Sequence, residues 1–304
     1  MVHNNLYSHV FPAMGSRCEV VVGVDDEPLA KRLFHLVEAE TRRIELKYSR
    51  YLPESWLTQV NHAAGKHPVV LDEETYQLLK YAENLYQVSF GLFDITSGVL
   101  RKAWDFKVPA NIPGEEILKN TLSFIDWPSV VWDASSIYLP KHGMEIDFGG
   151  YGKEYAVDRV CKILENEQVR TGYINFAGDM RVIGPRENGE PWQMGIQNPR
   201  EINKVIATIP LYSGSLATSG DYERYFELDG QRYCHIINPK SGQPVKYWQS
   251  ISVLAPLAIM AGSYSTIAML LEEKALDFLN KSGVAYLAID YQGQIYKKSA
   301  EVKR

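Results

Sequence analysis

The sequence is short of the features that mark disulfide-stabilised and nucleic-acid-binding proteins. Only three cysteines occur, and no two of them form a Cys-x-x-Cys pair: Cys18, Cys161 and Cys234. These three cannot build a disulfide framework, so a reducing compartment is favoured. No run of lysines and arginines exceeds two residues, and the net charge is −5. A nucleic-acid surface is normally basic, so we expect no nucleic-acid partner.

The sequence also lacks an obvious membrane or export signal. No basic segment followed by an apolar one opens the chain, and no cysteine follows a short apolar segment. We therefore expect a cytoplasmic protein, or a periplasmic one if a leader precedes these residues. The nearly uncharged stretch 251–271 is about as long as a membrane span, but Pro256, Gly262 and several hydroxyl residues interrupt it. A buried strand leading into a buried helix is expected there, and no membrane span.

The chain of 304 residues, 45% of them apolar, is long enough for a sizeable core. No repeat or Pro/Gly-rich linker divides it, so residues 1–304 are expected to form a single unit or two interleaved subdomains. Periodicity predicts helices at about 28–47, 72–86, 95–104, 152–165, 258–271 and 275–281. It predicts strands at about 8–24, 129–133, 136–139, 171–176, 180–184, 192–197, 203–211, 223–228, 232–237, 249–255, 285–290 and 294–298. Helices and strands do not alternate strictly, which favours an α+β fold with mixed, antiparallel-rich sheets and packed helices.

One stretch of the second half combines several residue types that transfer protons. Residues 217–226 and 233–242 read as a small-residue turn, a strand, an Asp229-Gly230 hairpin signal and a strand carrying His235. This arrangement would bring the histidine near four polar side chains: Thr218, Ser219, Asp221 and Glu223. Histidine titrates near neutrality and is a candidate general base. An amphipathic hairpin whose histidine is merely structural fits the spacing equally well.

Two further segments have both a chemical and a structural interpretation. Asp147-Phe-Gly-Gly-Tyr-Gly-Lys153 reads as a strand end, a glycine turn and a helix start, where backbone groups can approach an anion closely. Such turns are common, and a purely structural role is the simpler reading of this pattern alone. Asp94, which follows Gly91 and precedes a helix, can simply be an N-cap.

Six motifs in the same order resemble the ApbE family, the FAD:protein FMN transferases. They are Phe11-Pro-Ala-Met-Gly-Ser16, Tyr48-Ser-Arg-Tyr51, Gly91-Leu-Phe-Asp-Ile-Thr96, Asp147-Phe-Gly-Gly-Tyr-Gly-Lys153 with Tyr155-Ala-Val-Asp158, Asn175-Phe-Ala-Gly-Asp179, and Ala217-Thr-Ser-Gly-Asp-Tyr-Glu-Arg-Tyr-Phe226 with Tyr233-Cys-His-Ile-Ile-Asn-Pro-Lys-Ser-Gly242. A shorter similarity lies at Val60-Asn-His-Ala-Ala-Gly65. The resemblance covers residues from about 11 to about 270 and implies an ApbE-like, T-fold-like architecture.

The resemblance also implies roles for residues at the matching positions. The implied FAD contacts are Met14, Tyr51, Leu92, Phe93, Asp94, Lys153 and Ile236. The implied magnesium ligands are Gly150, Ser265 and Thr266. His235, in the histidine-containing motif, is our candidate for the base.

The chain departs from the family pattern at the metal site. An aspartate usual on the C-terminal helix, four residues before the threonine, is Gly262 here, whereas the glycine usual after the lysine is Glu154. Magnesium normally takes at least one carboxylate. Glu154 either is a solvated acid in the first turn of a helix, or returns a carboxylate to the cavity from the opposite wall. A third alternative is that the cation site is weak or lost.

The resemblance therefore implies an enzyme that transfers FMN from FAD to a threonine or serine hydroxyl of an acceptor flavoprotein and releases AMP, assisted by Mg²⁺. One alternative is a flavin-binding or flavin-scaffold protein that has lost the activity together with its aspartate. Another is an FAD pyrophosphatase, in which water takes the place of the acceptor hydroxyl.

Overall fold

The computed structural model describes residues 5–106, 112–201 and 203–299. Its first elements are two antiparallel strands, β1 (Asn5–Ala13) and β2 (Ser16–Val24). The turn between them places Met14 and Gly15 at φ of 53° and 68°. The single strand expected over 8–24 is therefore wrong. Two consecutive positive-φ residues make a tight hairpin turn, and methionine at the first of them gives no sequence signal for it.

The following elements are helical. They are α1 (Glu27–Tyr48), α2 (Trp56–Ala63), α3 (Glu73–Val88) and a 3₁₀ helix over Ile95–Lys102. Each of the three α-helices begins after a side chain that accepts a hydrogen bond from the N–H three residues on, namely Asp26, Ser55 and Asp72. The expected helix near 95–104 is present in 3₁₀ form. The sequence analysis missed α2, which has only eight residues.

The middle of the chain holds a small sheet and two more helices. In chain order these elements are β3 (Val69–Val70), α4 (Glu115–Leu122), β4 (Val131–Trp132), β5 (Ser136–Tyr138) and α5 (Gly152–Asn166). The expected hairpin at 129–139 is confirmed as the pairing of β4 with β5. Helix α4 was not predicted, and the start of the irregular stretch before it, 107–111, lies outside the described residues.

The second half is rich in strands, as expected. Its elements are β6 (Gly172–Phe176), β7 (Asp179–Gly184), β8 (Trp192–Gln197), β9 (Val205–Leu211), β10 (Gly214–Gly220), β11 (Tyr225–Leu228), β12 (Gln231–Cys234), β13 (Trp248–Ala255), α6 (Ala258–Leu271), α7 (Ala275–Lys281), β14 (Ala285–Asp290) and β15 (Ile295–Lys298). Residues 217–220, expected to form a turn, belong to the strand β10. The Asp229-Gly230 hairpin is confirmed, with both residues at positive φ. His235 lies one residue beyond β12, not within a strand.

Eight strands form one antiparallel sheet in the order β1-β2-β6-β7-β10-β13-β14-β15. The first and last strands of the described chain are its two edges. Pairing is antiparallel throughout this sheet, which confirms the α+β expectation. No helix in the described ranges is both long enough and apolar enough to cross a bilayer.

The two faces of the large sheet are covered differently. On one face, α1 and α5 pack on β2 and β6, and α6 and α7 pack on β13 and β14. On the other face, the separate two-stranded ribbon β8–β9 covers apolar side chains of the sheet: Val21, Val182, Leu216, Leu287 and Ile289. Alternation along each strand supplies both layers.

Asp158 on α5 connects three elements. Its Oδ1 and Oδ2 accept hydrogen bonds from the backbone N–H groups of Ala258 and Ile259, each at 2.9 Å, which cap the start of α6. Oδ1 also pairs with Arg181 of β7. Leu257, at the capping position of α6, has no side chain that could cap it. A carboxylate of α5 therefore accepts the hydrogen bonds of unpaired backbone N–H groups in the first turn of α6.

We predict that Asp158→Ala lowers the free energy of unfolding by about 3 kcal/mol, because it removes a helix cap and leaves the half-buried Arg181 with only the more distant carboxylate of Glu165. Chemical denaturation followed by circular dichroism measures the change. The control is Asp277→Ala, which removes an exposed ion pair with Lys281 and should cost less than about 1 kcal/mol. Equal losses in the two variants would contradict the connecting role.

Candidate active site

The glycine turn before α5 is fixed from two sides. The Asp147 carboxylate accepts a hydrogen bond from Gly149 N–H at 3.0 Å and pairs with Arg50. The backbone N–H of Asp147 donates to Ile95 O at 2.8 Å. The turn is thereby attached both to the Arg50-Tyr51 segment and to the start of the 3₁₀ helix, two segments that the sequence analysis placed in the site.

Gly150 is packed against Phe93. A Cβ added at Gly150 would lie 2.8 Å from the ring carbon Cζ of Phe93, closer than real Cβ contacts occur. The Phe93 ring is buried and also lies beside Tyr151, with 6.1 Å between ring centroids. The structure thus brings two predicted site residues into contact, and it explains the glycine by steric exclusion.

Asp94 is engaged by the protein itself. Its Oδ1 accepts hydrogen bonds from both N–H and Oγ1 of Thr96, at 2.7 and 2.6 Å, and its Oδ2 faces Trp127 N–H at 3.5 Å. The residue is buried, and burial raises the pKa of its carboxyl group. The capping interpretation of Asp94 is confirmed, while its FAD contact stays a prediction. Leu92 beside it is half-buried and packs against two core clusters.

Met14 and Tyr51 differ in how far their side chains are exposed. Met14 is half-buried in the β1–β2 turn, and its N–H donates to Glu45 Oε1 at 2.7 Å. Tyr51 is 71% exposed, and the guanidinium of Arg50 lies over its ring at 5.0 Å and donates to its hydroxyl at 2.9 Å. An exposed aromatic ring beside the glycine turn is suited to stacking against a flat ring such as isoalloxazine or adenine. Both FAD contacts remain predictions.

Lys153 provides the cation of the site. Its Nζ lies 2.7 Å from Oδ2 of Asp179, the first residue of β7, whose side chain is buried. Burial works to lower the pKa of Lys153, but the carboxylates of Asp179 and Glu154 outweigh it and raise that pKa. Lys153 therefore stays protonated at the N-terminus of α5, where the helix dipole also favours an anion.

Glu154 is buried, so its interpretation as a solvated first-turn acid is wrong. It is 8% exposed, and its Oε2 has no hydrogen-bond partner in the part of the chain that the structure describes. Burial raises the pKa of Glu154 well above its usual value, and Asp179 adds to that effect. Its position alone does not predict this burial, because acids in the first turn of a helix are usually solvated.

The Glu154 side chain lies against Gly262 of α6. A Cβ added at Gly262 would lie 2.5 Å from Glu154 Oε1 and 2.6 Å from its Cγ. Glu154 therefore fills the space that any side chain at position 262 would need. The carboxylate reaches the wall of α6 from α5, which is the geometry of the second interpretation offered by the sequence.

Two of the predicted metal ligands belong to a hydroxyl cluster that joins α6 to β10. Ser219 Oγ lies 2.7 Å from Ser265 Oγ and 3.0 Å from Thr266 Oγ1, and Ser265 Oγ donates to Gly262 O at 2.9 Å. Ser219 was not assigned to the metal site by the sequence. Its motif was noted, but its pairing with α6 spans about 46 residues. No contact in the described residues links Gly150 to this cluster, so its role as a ligand stays a prediction.

His235 is anchored by its backbone and keeps an accessible side chain. Its N–H donates to Arg224 O at 2.9 Å, and its Nδ1 lies 3.3 Å from the same oxygen. Desolvation by the surrounding protein, together with the charges of Arg224 and Lys153, lowers the pKa of His235 to about 4. The imidazole is therefore neutral at pH 7 and close enough to Lys153 to experience its charge. The neighbouring Ile236 is buried in the core cluster around β13.

The carboxylates expected beside His235 do not form one group. Asp221 is held by a bidentate pair with Arg200, at 2.7 Å for both contacts, and also faces Arg232. Thr218 bonds to Ser252 on the neighbouring strand. Asp221 and Thr218 are thus engaged in structural contacts. The residue that sequence reasoning missed is Asp179, whose motif was recognised but whose ion pair with Lys153 was not foreseen.

Residues 14–288 match the ApbE family. The FAD:protein FMN transferase of Klebsiella pneumoniae is 31% identical, with 88% of this chain and 83% of the relative covered. The protein of the same name from Haemophilus influenzae is also 31% identical, over 88% of this chain and 82% of its own. Among solved structures, the ApbE protein of Thermotoga maritima has a TM-score of 0.89 at 31% identity over 97% of both chains. The flavinyl transferase ApbE of Pseudomonas stutzeri has a TM-score of 0.87 at 26% identity over 98% and 96% of the two chains.

We predict that Gly150→Ala lowers the free energy of unfolding by about 1–3 kcal/mol, because its methyl group must displace the buried Phe93 ring. The matched control is Gly152→Ala in the same turn, where a Cβ meets nothing closer than 3.6 Å. This second change should be neutral or stabilising by up to about 1 kcal/mol, since alanine restricts the unfolded chain. Urea unfolding of both variants tests the pair. Equal stability of the two would show that the Phe93 contact is unimportant.

Proposed function

The chain belongs to the ApbE family, and from this premise we propose that it is an FAD:protein FMN transferase. It would transfer the FMN portion of FAD to a threonine or serine hydroxyl of an acceptor flavoprotein. The observation that carries the proposal is the accessible imidazole of His235 near Lys153, the lysine that opens α5 and pairs with Asp179.

The chemistry follows from these two groups. The acceptor hydroxyl oxygen attacks the phosphorus of the FMN half, a new phosphoester bond forms, and the bond to the bridging oxygen breaks so that AMP leaves. The hydroxyl proton passes to His235, which is unprotonated at neutral pH. Lys153 and the N–H groups that open α5 neutralise pyrophosphate charge. Transfer of this type depends chiefly on positioning and charge neutralisation, both of which a rigid turn can supply.

The residues present fit a magnesium ion. Hard oxygen donors are available from Ser265, Thr266 and the Gly150 carbonyl, and a buried carboxylate oxygen of Glu154 has no partner among the described residues. When bound, the ion would stabilise the negative charge on the pyrophosphate and on the leaving group.

Incubating the protein with FAD, Mg²⁺ and an acceptor domain that exposes a threonine tests the proposal. Transfer yields flavin fluorescence on the acceptor after denaturing electrophoresis, together with one AMP per flavin. AMP and free FMN without labelled acceptor would indicate a pyrophosphatase. FAD binding without AMP would indicate a flavin scaffold. Either of these results overturns the transferase assignment.

We predict that His235→Ala still binds FAD but transfers flavin at least about 100-fold more slowly, the usual contribution of a positioned base. Calorimetry with FAD measures binding, and single-turnover labelling measures transfer. His67→Ala is the control, because His67 lies in the helix-to-strand connection before β3 and its imidazole bonds to the neighbouring Pro68 O. A wild-type transfer rate in His235→Ala would return the histidine to a structural role.

The lowered pKa of His235 predicts an unusual pH dependence of transfer. The neutral base form persists down to about pH 4, so kcat/KM should remain level through pH 6.5 and decline only as the pH falls through about 4. An ordinary histidine would lose activity near 6.5. Rates measured between pH 4 and 8, with folding checked by circular dichroism, distinguish the two. An acidic limb centred at 6.5 would show that His235 titrates as an ordinary histidine.

We also predict that FAD binds in preference to FMN and NAD. The proposed contacts extend from Met14 in the first hairpin to Ile236 in the second half, so both halves of a flavin dinucleotide would be engaged. Calorimetric titration with each nucleotide measures the preference. Equal affinity for FAD and NAD would remove the basis for the flavin assignment.

A further inference from the structure

Two acidic side chains lie near Lys153, and its single positive charge can balance only one of them. Lys153 contacts Asp179 at 2.7 Å, and that pair is balanced by itself. Glu154 is close enough to affect both groups electrostatically, yet its Oε2 is hydrogen-bonded to nothing among the described residues. A buried carboxylate is stabilised only by a cation, a proton or hydrogen bonds. The nearby Tyr81 hydroxyl is no donor for it, because it bonds to Ile259 O and Ser263 Oγ.

Residue 262 is the place where Glu154 and the hydroxyl cluster meet. Glu154 Oε1 occupies the position of the missing side chain of Gly262, and Ser265 Oγ lies 2.9 Å from the Gly262 carbonyl oxygen. Ser265 in turn contacts Ser219 of β10. A carboxylate and several hydroxyl oxygens thus lie around one backbone position of α6.

The helix packing fixes this arrangement. Asp158 of α5 contacts the residues 258 and 259 of α6, and Glu154, one turn earlier on α5, contacts residue 262, one turn later on α6. The two helices therefore run antiparallel, with their registers set by the Asp158 cap. On each helix the two contacting positions are four residues apart and therefore lie on the same face.

We propose that Glu154 is the anionic ligand of a divalent cation site whose other ligands include the hydroxyls of Ser265 and Thr266, and that Gly262 is glycine to admit it. The inference deepens the proposed function, on which it rests for the role of the metal. The carboxylate comes from α5 and the space for it comes from α6. We call Glu154 and Gly262 the exchange pair, because a carboxylate at either position requires glycine at the other. Because this carboxyl group is already in place in the apo protein, the site binds metal without nucleotide.

The test uses Mn²⁺ as the probe, with free Mn²⁺ measured by electron paramagnetic resonance and Mg²⁺ added as competitor. The full-length protein should bind one Mn²⁺ in the absence of FAD, and Mg²⁺ should displace it. Glu154→Gln keeps the shape of the side chain and removes its charge, and it should weaken Mn²⁺ binding at least about tenfold. Removing a residue that only supports a metal ligand already costs about tenfold, so removing a ligand should cost no less. The control is Glu165→Gln on the same helix, whose carboxylate pairs with Lys162 and Arg181; it should bind as the wild type does.

The exchange pair makes a second, independent test. Gly262→Asp alone should bind no Mn²⁺ and melt at a lower temperature, because its Cβ collides with Glu154. Glu154→Gly with Gly262→Asp should recover both the melting temperature and Mn²⁺ binding. A double variant no better than the single one, or unchanged Mn²⁺ affinity in Glu154→Gln, overturns the proposal.

The outcome of these metal-binding tests does not depend on whether the protein is a transferase. Loss of Mn²⁺ binding in Glu154→Gln supports the inference even if the wild-type protein labels no acceptor. Conversely, if the wild-type protein labels the acceptor and Glu154→Gln binds Mn²⁺ as tightly as the wild type, the ligand assignment is wrong and the transferase assignment stands. An increase in melting temperature on adding Mn²⁺ to the wild type, absent in Glu154→Gln, gives the same answer without activity.

Discussion

The contact of Asp158 with the start of α6 is the interaction on which the candidate site depends. It satisfies two backbone N–H groups that the α6 sequence cannot cap by itself, and it pairs with Arg181 of β7. This one carboxylate thereby fixes the helices relative to each other and to the centre of the sheet. The neighbouring contacts of α5 follow from it: Lys153 reaches Asp179 at the start of β7, and Glu154 reaches Gly262.

The site is also organised by charge. A transferase acting on a pyrophosphate must hold two negative phosphates, yet this site places two buried carboxylates beside a single lysine. An unpaired buried charge typically costs several kcal/mol, which is a large share of the stability of a domain. Such an arrangement is tolerable only if a proton or a metal cation joins it. The same acids that make the apo site costly would therefore recruit the cation that the anionic substrate needs.

Much of the fold could be predicted from the sequence because its signals are local. Helices α1 and α3 follow from apolar spacing and capping residues, α5 and α6 follow from their apolar residues alone, and most strands of the second half follow from alternation. The failures have local causes too. Apart from Leu216, strand β10 is built of glycine, serine, alanine and threonine, which resemble a turn, and the first hairpin bends at a methionine. The site was harder, because the contacts of Lys153, Glu154 and Ser219 join segments distant in sequence.

The family resemblance assigned positions to the site but could not transfer the ligands one by one. A metal ligand is defined by where its oxygen lies, not by which helix carries it. Glutamate is one methylene longer than aspartate, so a glutamate on α5 can bring its carboxylate to the wall of α6, provided that the facing residue has no side chain. Gly262 alone reads as a lost ligand, and Glu154 alone reads as a solvated acid. Their contact shows that the two departures from the family pattern compensate each other in volume, and compensation in charge is the part that the proposed cation site adds.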